Sequence, residues 1–210
     1  MKPADNKIYL ASKSPRRREL LRQIGVEFEL LLLRDAAPRG PEVSEEVLSG
    51  EKAEDYVVRV TREKAEFASK MMMMRRLPAR PVMSADTTVV IDGRILGKPA
   101  DQVEAMDMLR ALSGRTHQVL TSVALHRDDE TWQTLQVSDV RIATLSEEMM
   151  RAYCATSEPY DKAGGYGIQG LASVFIEHIA GSYTGIMGLP LHETAKLLNQ
   201  AGIPVLGSVS

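Results

Sequence analysis

The chain has 210 residues, 44% hydrophobic and 26% charged, a balance that suits an ordinary globular protein and excludes a disordered or fibrous one. Its formal net charge of −2 excludes the broad positive field that duplex nucleic acid requires, and no run approaches the length of a membrane-spanning helix. A single cysteine, Cys154, excludes a disulfide framework; with an N-terminus that lacks the apolar stretch of a signal peptide, it predicts a cytoplasmic protein.

Ile8 to Ala11 is a short apolar run that reads as a buried strand near 7–11. Ser14 then stands as the N-cap of a helix over 15–24, with Pro15 at its first position and Gly25 as its stop. Leu20, Leu21 and Ile24 supply its apolar face. Arg16, Arg17 and Arg18 therefore sit at the positive end of the helix dipole, where each cation is unfavourable by roughly 0.3–1 kcal/mol. A bound anion reverses that sign, because backbone N–H groups and guanidinium forks both point at it. A solvated basic turn is the competing reading for one arginine; three directly after a strand favour a small anionic ligand.

A strand near 27–33 leads into a Pro-, Gly- and acid-rich loop, Asp35 to Gly50, of a length that is often functional. A helix near 53–70 follows and runs out in Met71 to Met74. At ~100° per residue, Tyr56, Val57, Val60, Phe67 and Ala68 form one stripe, and Lys64 falls inside it. A lysine can snorkel from such a position; the alternative turns its ammonium toward phosphate. Strands near 82–91 and 94–97 form a hairpin about Asp92-Gly93. Asp86 puts a carboxylate in the middle of a β-branched run, where propensity and burial both disfavour it. A structural bridge to a loop and a functional carboxylate explain it equally well on its own. Continued from the turn, the ladder sets Thr87 opposite Lys98, so a carboxylate and an ammonium meet at one end of the hairpin unless Gly97 and Pro99 stop it first.

Asp101 and Glu104 start a helix to about Leu112 in the manner of a capping box. Strands near 117–126 and 131–143, a helix near 146–155, an irregular stretch from Ser157 to Gly170, a strand near 172–179 and a helix near 190–200 complete the order. Helices and strands are mixed without a regular βαβ repeat, which predicts an α/β or α+β chain with a mixed sheet. Two phosphate motifs fail. GRILGKP (93–99) is one residue short of a P-loop and carries Pro99 where Ser or Thr belongs. GYGIQG (165–170) lacks the strand before and the helix after that a dinucleotide fingerprint needs. The four histidines are scattered, so no zinc site is expected. The acidic loop offers Glu42, Glu45 and Glu46; one of them near Asp86 would complete a magnesium site, since Mg²⁺ takes one or two carboxylates plus substrate phosphates.

The stretch S-K-S-P-R-R at Ser12 to Arg17 resembles the S-x-S-P-R-R signature of the Maf nucleoside triphosphate pyrophosphatases. The resemblance continues through R-E-K-A (Arg62 to Ala65), A-D-T-T-V-V (Ala85 to Val90), G-K-P (Gly97 to Pro99), S-G-R-T-H-Q-V (Ser113 to Val119) and Y-D-K-A-G-G-Y-G-I-Q-G (Tyr160 to Gly170). It implies one Maf/ITPase-like domain over residues 1–210, with a mixed twisted sheet flanked by helices and an active-site cleft between two lobes. It implies hydrolysis between the α- and β-phosphates of a nucleotide, with Mg²⁺ or Mn²⁺ as cofactor, often in a homodimer. It makes Asp86 the proton acceptor and a metal ligand, joined by Glu45, with Lys98 as a further catalytic residue. Ser12, Ser14, Arg16, Arg17 and Lys64 are implied around the phosphates. Arg16, Thr87 and Gln169 match positions tied to base choice in the branch that acts on dTTP and UTP. The family's acidic stretch after the second strand is missing; Ala36 and Ala37 stand near its place. A lengthened loop is therefore expected to supply Glu42-Val43-Ser44-Glu45 instead. The alternatives are a 7-methyl-GTP-type pyrophosphatase and a non-catalytic nucleotide-binding regulator of cell division.

Overall fold

The computed structural model describes residues 6–33 and 43–206; Ala36, Ala37 and Glu42 lie outside them. The elements in chain order are β1 (Ile8–Leu10), α1 (Pro15–Gln23), β2 (Phe28–Leu30), α2 (Ala53–Met74), β3 (Val82–Ile91), β4 (Arg94–Leu96), α3 (Gln102–Leu112), β5 (Thr116–Arg127), β6 (Glu130–Ile142), α4 (Glu147–Cys154), β7 (Ile176–Ala180), α5 (Tyr183–Met187) and α6 (Leu191–Gln200). Local chemistry sets most of their ends. Ser14 Oγ caps α1 by accepting from Arg17 N at 3.5 Å. Asp92 and Gly93 take φ of 51° and 74°, the positive pair that a two-residue hairpin turn demands. Asp101 Oδ1 accepts from Glu104 N at 2.9 Å, while the Glu104 carboxylate reaches back to Ala100 N at 2.8 Å. No helix among the described residues is long and apolar enough to cross a membrane.

Three local expectations are corrected. The strand expected near 27–33 pairs only over Phe28–Leu30. The strand expected from 172 begins as a 3-10 turn over Leu171–Phe175, and β7 starts only at Ile176. There the Glu158 carboxylate takes Leu171 N at 2.7 Å and Ala172 N at 3.1 Å, removing the donors that a strand would give its ladder. The short helix α5 was not foreseen; Ser182 caps it by accepting from Gly185 N at 3.0 Å.

One seven-stranded sheet runs β2-β1-β3-β5-β6-β7, with β4 also paired to β3. β1 is parallel to β2 and β3, and every other pair is antiparallel, so the sheet is mixed as expected. Alternation along the strands gives each face its own helices. On one face α2 packs: Val57 and Val60 share a cluster with Val90 and Leu120, and Ala68 and Met72 one with Tyr9 and Val82. On the other, Leu20 and Leu21 of α1 and Leu197 and Leu198 of α6 join Ile8, Leu10, Met83 and Val123. Leu109 and Leu112 of α3 and Tyr153 of α4 extend that face over Val89, Val140 and Ile142.

The register of β3 decides where the sheet opens. β5 pairs with β3 from Val82 to Val90, so β1 and β4 share the opposite edge. β1 occupies that edge at Val82 and Met83, and β4 only from Val89 onward. Between them, Ser84 to Thr88 have no strand beside them among the described residues. The gap separates the β1 side of the sheet from the β4 side.

Candidate active site

A cavity of about 840 Å³ lies along this gap. The β1–α1 turn contributes Ser12 and Ser14, and the first turn of α1 Arg16 and Arg17; α2 contributes Lys64; β3 contributes Asp86 and Thr87. Glu45 enters from the segment before α2, Lys98 from beyond β4, and Gln169 from the glycine-rich segment. These ten residues line one space, although the positions run from 12 to 169, whereas Arg18 and Glu46, also offered by the sequence, do not line it.

Asp86 and Thr87 are consecutive on a strand, so they turn to opposite faces. Asp86 meets α2, where Lys64 Nζ donates to its Oδ1 at 3.3 Å and also pairs with Glu45 Oε1 at 2.8 Å. The Lys64 and Asp86 side chains are only 16% and 18% exposed, against 61% for Glu45. The lysine inside the apolar stripe thus joins two carboxylates at the cavity wall rather than snorkelling to solvent. Lys98 does not take that position. The hairpin ladder ends at Val89–Leu96, and Gly97 O instead accepts from Gly164 N at 2.9 Å, which ties Gly97 to the glycine-rich segment. Lys98 is an exposed lining residue with no hydrogen bond or ion pair among the described residues.

Glu45 is held from α2. Tyr56 Oη donates to Glu45 O at 3.1 Å, and Arg59 Nη2 donates to Glu46 O at 3.0 Å. Arg59 is itself forked onto the Glu51 carboxylate at 2.6 and 3.0 Å. Burial, reinforced by the charges of Asp86 and Glu45, pushes the Tyr56 phenol up to about 12, so it stays a donor at neutral pH. Sequence reasoning read Tyr56 only as part of the apolar stripe; its hydroxyl on a buried face was the available signal.

Thr87 meets α1. Arg17 Nη2 donates to Thr87 Oγ1 at 3.1 Å, Nη1 to Ser12 Oγ at 3.2 Å and Nε to Gly188 O at 2.8 Å. Burial lowers the Arg17 pKa, opposed by the Asp86 charge, and a guanidinium stays protonated throughout. Arg16 reaches the other wall, with Nη1 3.5 Å from Asp161 Oδ2. Ser12 and Ser14 organise the turn: Ser12 Oγ also accepts from Ser14 N at 3.2 Å.

The glycine-rich wall adds two residues without an assigned role in the sequence, Asp161 and Lys162. Lys162 Nζ donates to Asp161 Oδ1 at 2.5 Å and to Glu158 O at 2.8 Å. Gly164 holds φ at 71°, and a Cβ there would stand 2.9 Å from Val89, so this wall needs glycine to reach β3. Tyr166 lines the cavity above His117, its Oη 2.6 Å from His117 Nε2. Burial depresses the His117 pKa to about 4, so the imidazole is neutral at pH 7.

Arg16, Arg17, Lys64, Lys98 and Lys162 thus surround a space lined by the carboxylates of Glu45, Asp86 and Asp161. That set suits a ligand with several phosphoryl groups. Among the described residues no three His, Cys, Asp or Glu side chains stand close enough to hold a metal alone. Asp86 and Glu45 already converge on one cation, the Lys64 ammonium, and both offer hard oxygen donors. They fit Mg²⁺ or Mn²⁺ of the kind that takes its remaining ligands from water and phosphate.

Comparison with known proteins gives this arrangement relatives. The family described as Maf-like protein matches residues 7–201. A dTTP/UTP pyrophosphatase of Aromatoleum aromaticum is 53% identical over 98% of this chain and 100% of its own length. A dTTP/UTP pyrophosphatase of Ralstonia nicotianae is 55% identical over 93% of this chain and 94% of its own. Among solved structures, the Ham1 protein of Staphylococcus aureus overlaps 65% of this chain and 72% of its own, at 18% identity and a TM-score of 0.43.

Proposed function

This chain belongs to the Maf-like protein family, and from that membership we propose that it is a nucleoside triphosphate pyrophosphatase acting on dTTP and UTP. The observation that carries the reading is the Asp86–Lys64–Glu45 cluster facing Arg16 and Arg17 across one cavity.

In the proposed reaction, a triphosphate lies against Arg16, Arg17, Lys64 and Lys98, whose charges offset what builds on the phosphoryl and leaving oxygens. Ser12 and Ser14 hold the turn that presents the arginines. Asp86 accepts a proton from water as the water oxygen bonds to phosphorus. The anhydride bond between the α- and β-phosphates breaks, and nucleoside monophosphate and pyrophosphate separate. A divalent cation held by Asp86 and Glu45 would supply charge neutralisation and a more acidic water. Arg16, Thr87 and Gln169, which line the same cavity, would read the base. A glutamine amide accepts from the N3–H of uracil or thymine and donates to the neighbouring carbonyl. We extend the proposal to a single domain over 1–210 working as a cytoplasmic homodimer. The buried free Cys154 is in keeping with a reducing compartment, and the exposed Leu171 and Val174 beside β7 suit a self-contact.

The test is pyrophosphate release from dTTP, UTP, CTP, GTP and 7-methyl-GTP with Mg²⁺ or Mn²⁺. The expected result is turnover of dTTP and UTP above the others. Preference for 7-methyl-GTP would move the chain to the other substrate class, and tight nucleotide binding without turnover would make it a regulator.

A further inference from the structure

Thr121 lies on β5, fully buried beside Thr87 and outside every motif read as catalytic. Its Oγ1 is 2.8 Å from Gly185 O and 3.0 Å from Thr87 Oγ1. A carbonyl cannot donate, so the single Thr121 hydroxyl proton goes to Gly185 O. Thr87 must then donate its own proton to Thr121. Arg17 has only donors, so Thr87 Oγ1 accepts from Arg17 Nη2 at 3.1 Å. The bonds run one way: from Arg17 through Thr87 and Thr121 to Gly185 O. Arg17 Nε also donates to Gly188 O at 2.8 Å, so both ends of the chain close on α5 and the glycine that follows it.

We propose that Thr121 is a positioning residue that takes the Thr87 hydroxyl proton, turns the Thr87 lone pairs toward Arg17 and the cavity, and thereby fixes the aim of Arg17. Three of the five Arg17 N–H groups are spent on Gly188, Ser12 and Thr87. One remains on each terminal nitrogen, available to an anionic ligand. Thr87 has no proton left for a ligand. Its free lone pair turns phosphoryl oxygens away and accepts only from a donor: water, a hydroxyl or a base N–H. Thr121 therefore leaves Arg17 to take phosphate while Thr87 beside it can take only a donor.

This inference rests on the proposed function, so it is tested by two readouts, calorimetric binding of inorganic pyrophosphate and steady-state turnover of dTTP. Thr121→Val keeps the shape and deletes the proton; Thr121→Ser keeps the proton. Thr121→Val is expected to weaken pyrophosphate binding and raise the KM for dTTP roughly tenfold, the upper range for one neutral hydrogen bond, with a smaller change in kcat. Thr121→Ser is expected to stay within about twofold of wild type on both. Because the two threonines act in series, Thr87→Val with Thr121→Val should lose no more than Thr87→Val alone. Equal losses from Val and Ser at 121, wild-type binding by Thr121→Val, or losses that multiply in the double variant would each overturn the relay. If Thr121→Val does not fold, Thr121→Cys, whose thiol is a weak donor and acceptor, against Thr121→Ser carries the same comparison, and equal losses there overturn it. If the binding pattern appears but wild type does not turn over dTTP, the relay stands and the proposed function falls. If wild type does not bind pyrophosphate, both fall.

Discussion

Asp86 and Thr87 enter the cavity from a regular strand, and their partners Lys64 and Arg17 come from helices on its two faces. Across the opening, Asp161, Lys162 and Gln169 come from a run of 3-10 turns whose path needs positive φ at Gly164 and Gly165. On the strand wall the backbone is held by the β5 ladder and by helix packing, so a side chain can be exchanged without moving its neighbours. On the glycine wall the backbone itself makes the close approaches. A Cβ at Gly170 would lie 2.4 Å from the Glu158 carboxylate, and one at Gly167 would lie 2.7 Å from Lys162. Changes on the strand wall should therefore remove chemistry, and changes on the glycine wall should alter selectivity and stability.

The largest expected effect tests the strand wall. Asp86→Asn keeps the size and loses the proton acceptor, so kcat for the best nucleotide should fall by roughly 10²–10⁴ with the melting temperature little changed. Near-normal turnover would make Asp86 structural and remove the contrast between the walls.

The next effect belongs to the support of the glycine wall. His117 is 2% exposed and carries Tyr166, and burial lowers its pKa from 6.5 to about 4. Between those values the unfolded chain binds a proton that the folded chain refuses, so stability falls as pH drops. The contribution is complete above about pH 6.5 and declines by up to ~1.4 kcal/mol per unit, about 3 kcal/mol by pH 4. Denaturant unfolding at pH 7 and pH 4.5 should show a smaller pH-dependent loss in His117→Gln than in wild type. An identical loss in both would show that His117 is not what acid acts on.

Glu45→Gln returns to the strand side. It removes one charged partner of Lys64 and a proposed ligand of the cation, so kcat/KM should fall roughly 10–100-fold. Glu46→Gln should be near neutral, since the described contacts of Glu46 are backbone ones, its carbonyl with Arg59 and its N–H with Ser44. Equal small effects at both positions would reduce this segment to a solvated surface.

The smallest effect sharpens the comparison. Gln169→Glu sets a carboxylate against a base carbonyl, a mismatch of about 1–3 kcal/mol. The preference for dTTP and UTP over GTP should shrink by about tenfold. Competition assays with dTTP, UTP, CTP and GTP on both forms measure it, and unchanged ratios would remove Gln169 from base reading.

Much of this was legible because it depends on near neighbours in the chain. The Ser14 cap, the Asp92-Gly93 turn and the Asp101 cap are short-range hydrogen-bonding and φ requirements, and each is met. Lys64 could be noticed as a charge inside an apolar stripe, and Asp86 as a charge inside a strand. Their pairing could not be read, because it depends on how α2 crosses the sheet. The ladder argument pointed to Lys98 as the partner and failed where Gly97 is drawn to Gly164. Arg59, Glu158 and Thr121 looked ordinary because each acts through backbone groups or another side chain.

By itself the sequence determined the element types, most of their ends and the residues whose chemistry is out of keeping with their surroundings, since these follow from periodicity, capping and desolvation along a few consecutive residues. The tertiary structure alone decided that β1 and β4 leave Ser84 to Thr88 without a strand on one edge, and that α5 closes the hydrogen-bond chain from Arg17 through Thr121. Both are matters of register between segments far apart in the chain. Register is set by which buried surfaces fit together, a property that no single stretch of sequence carries.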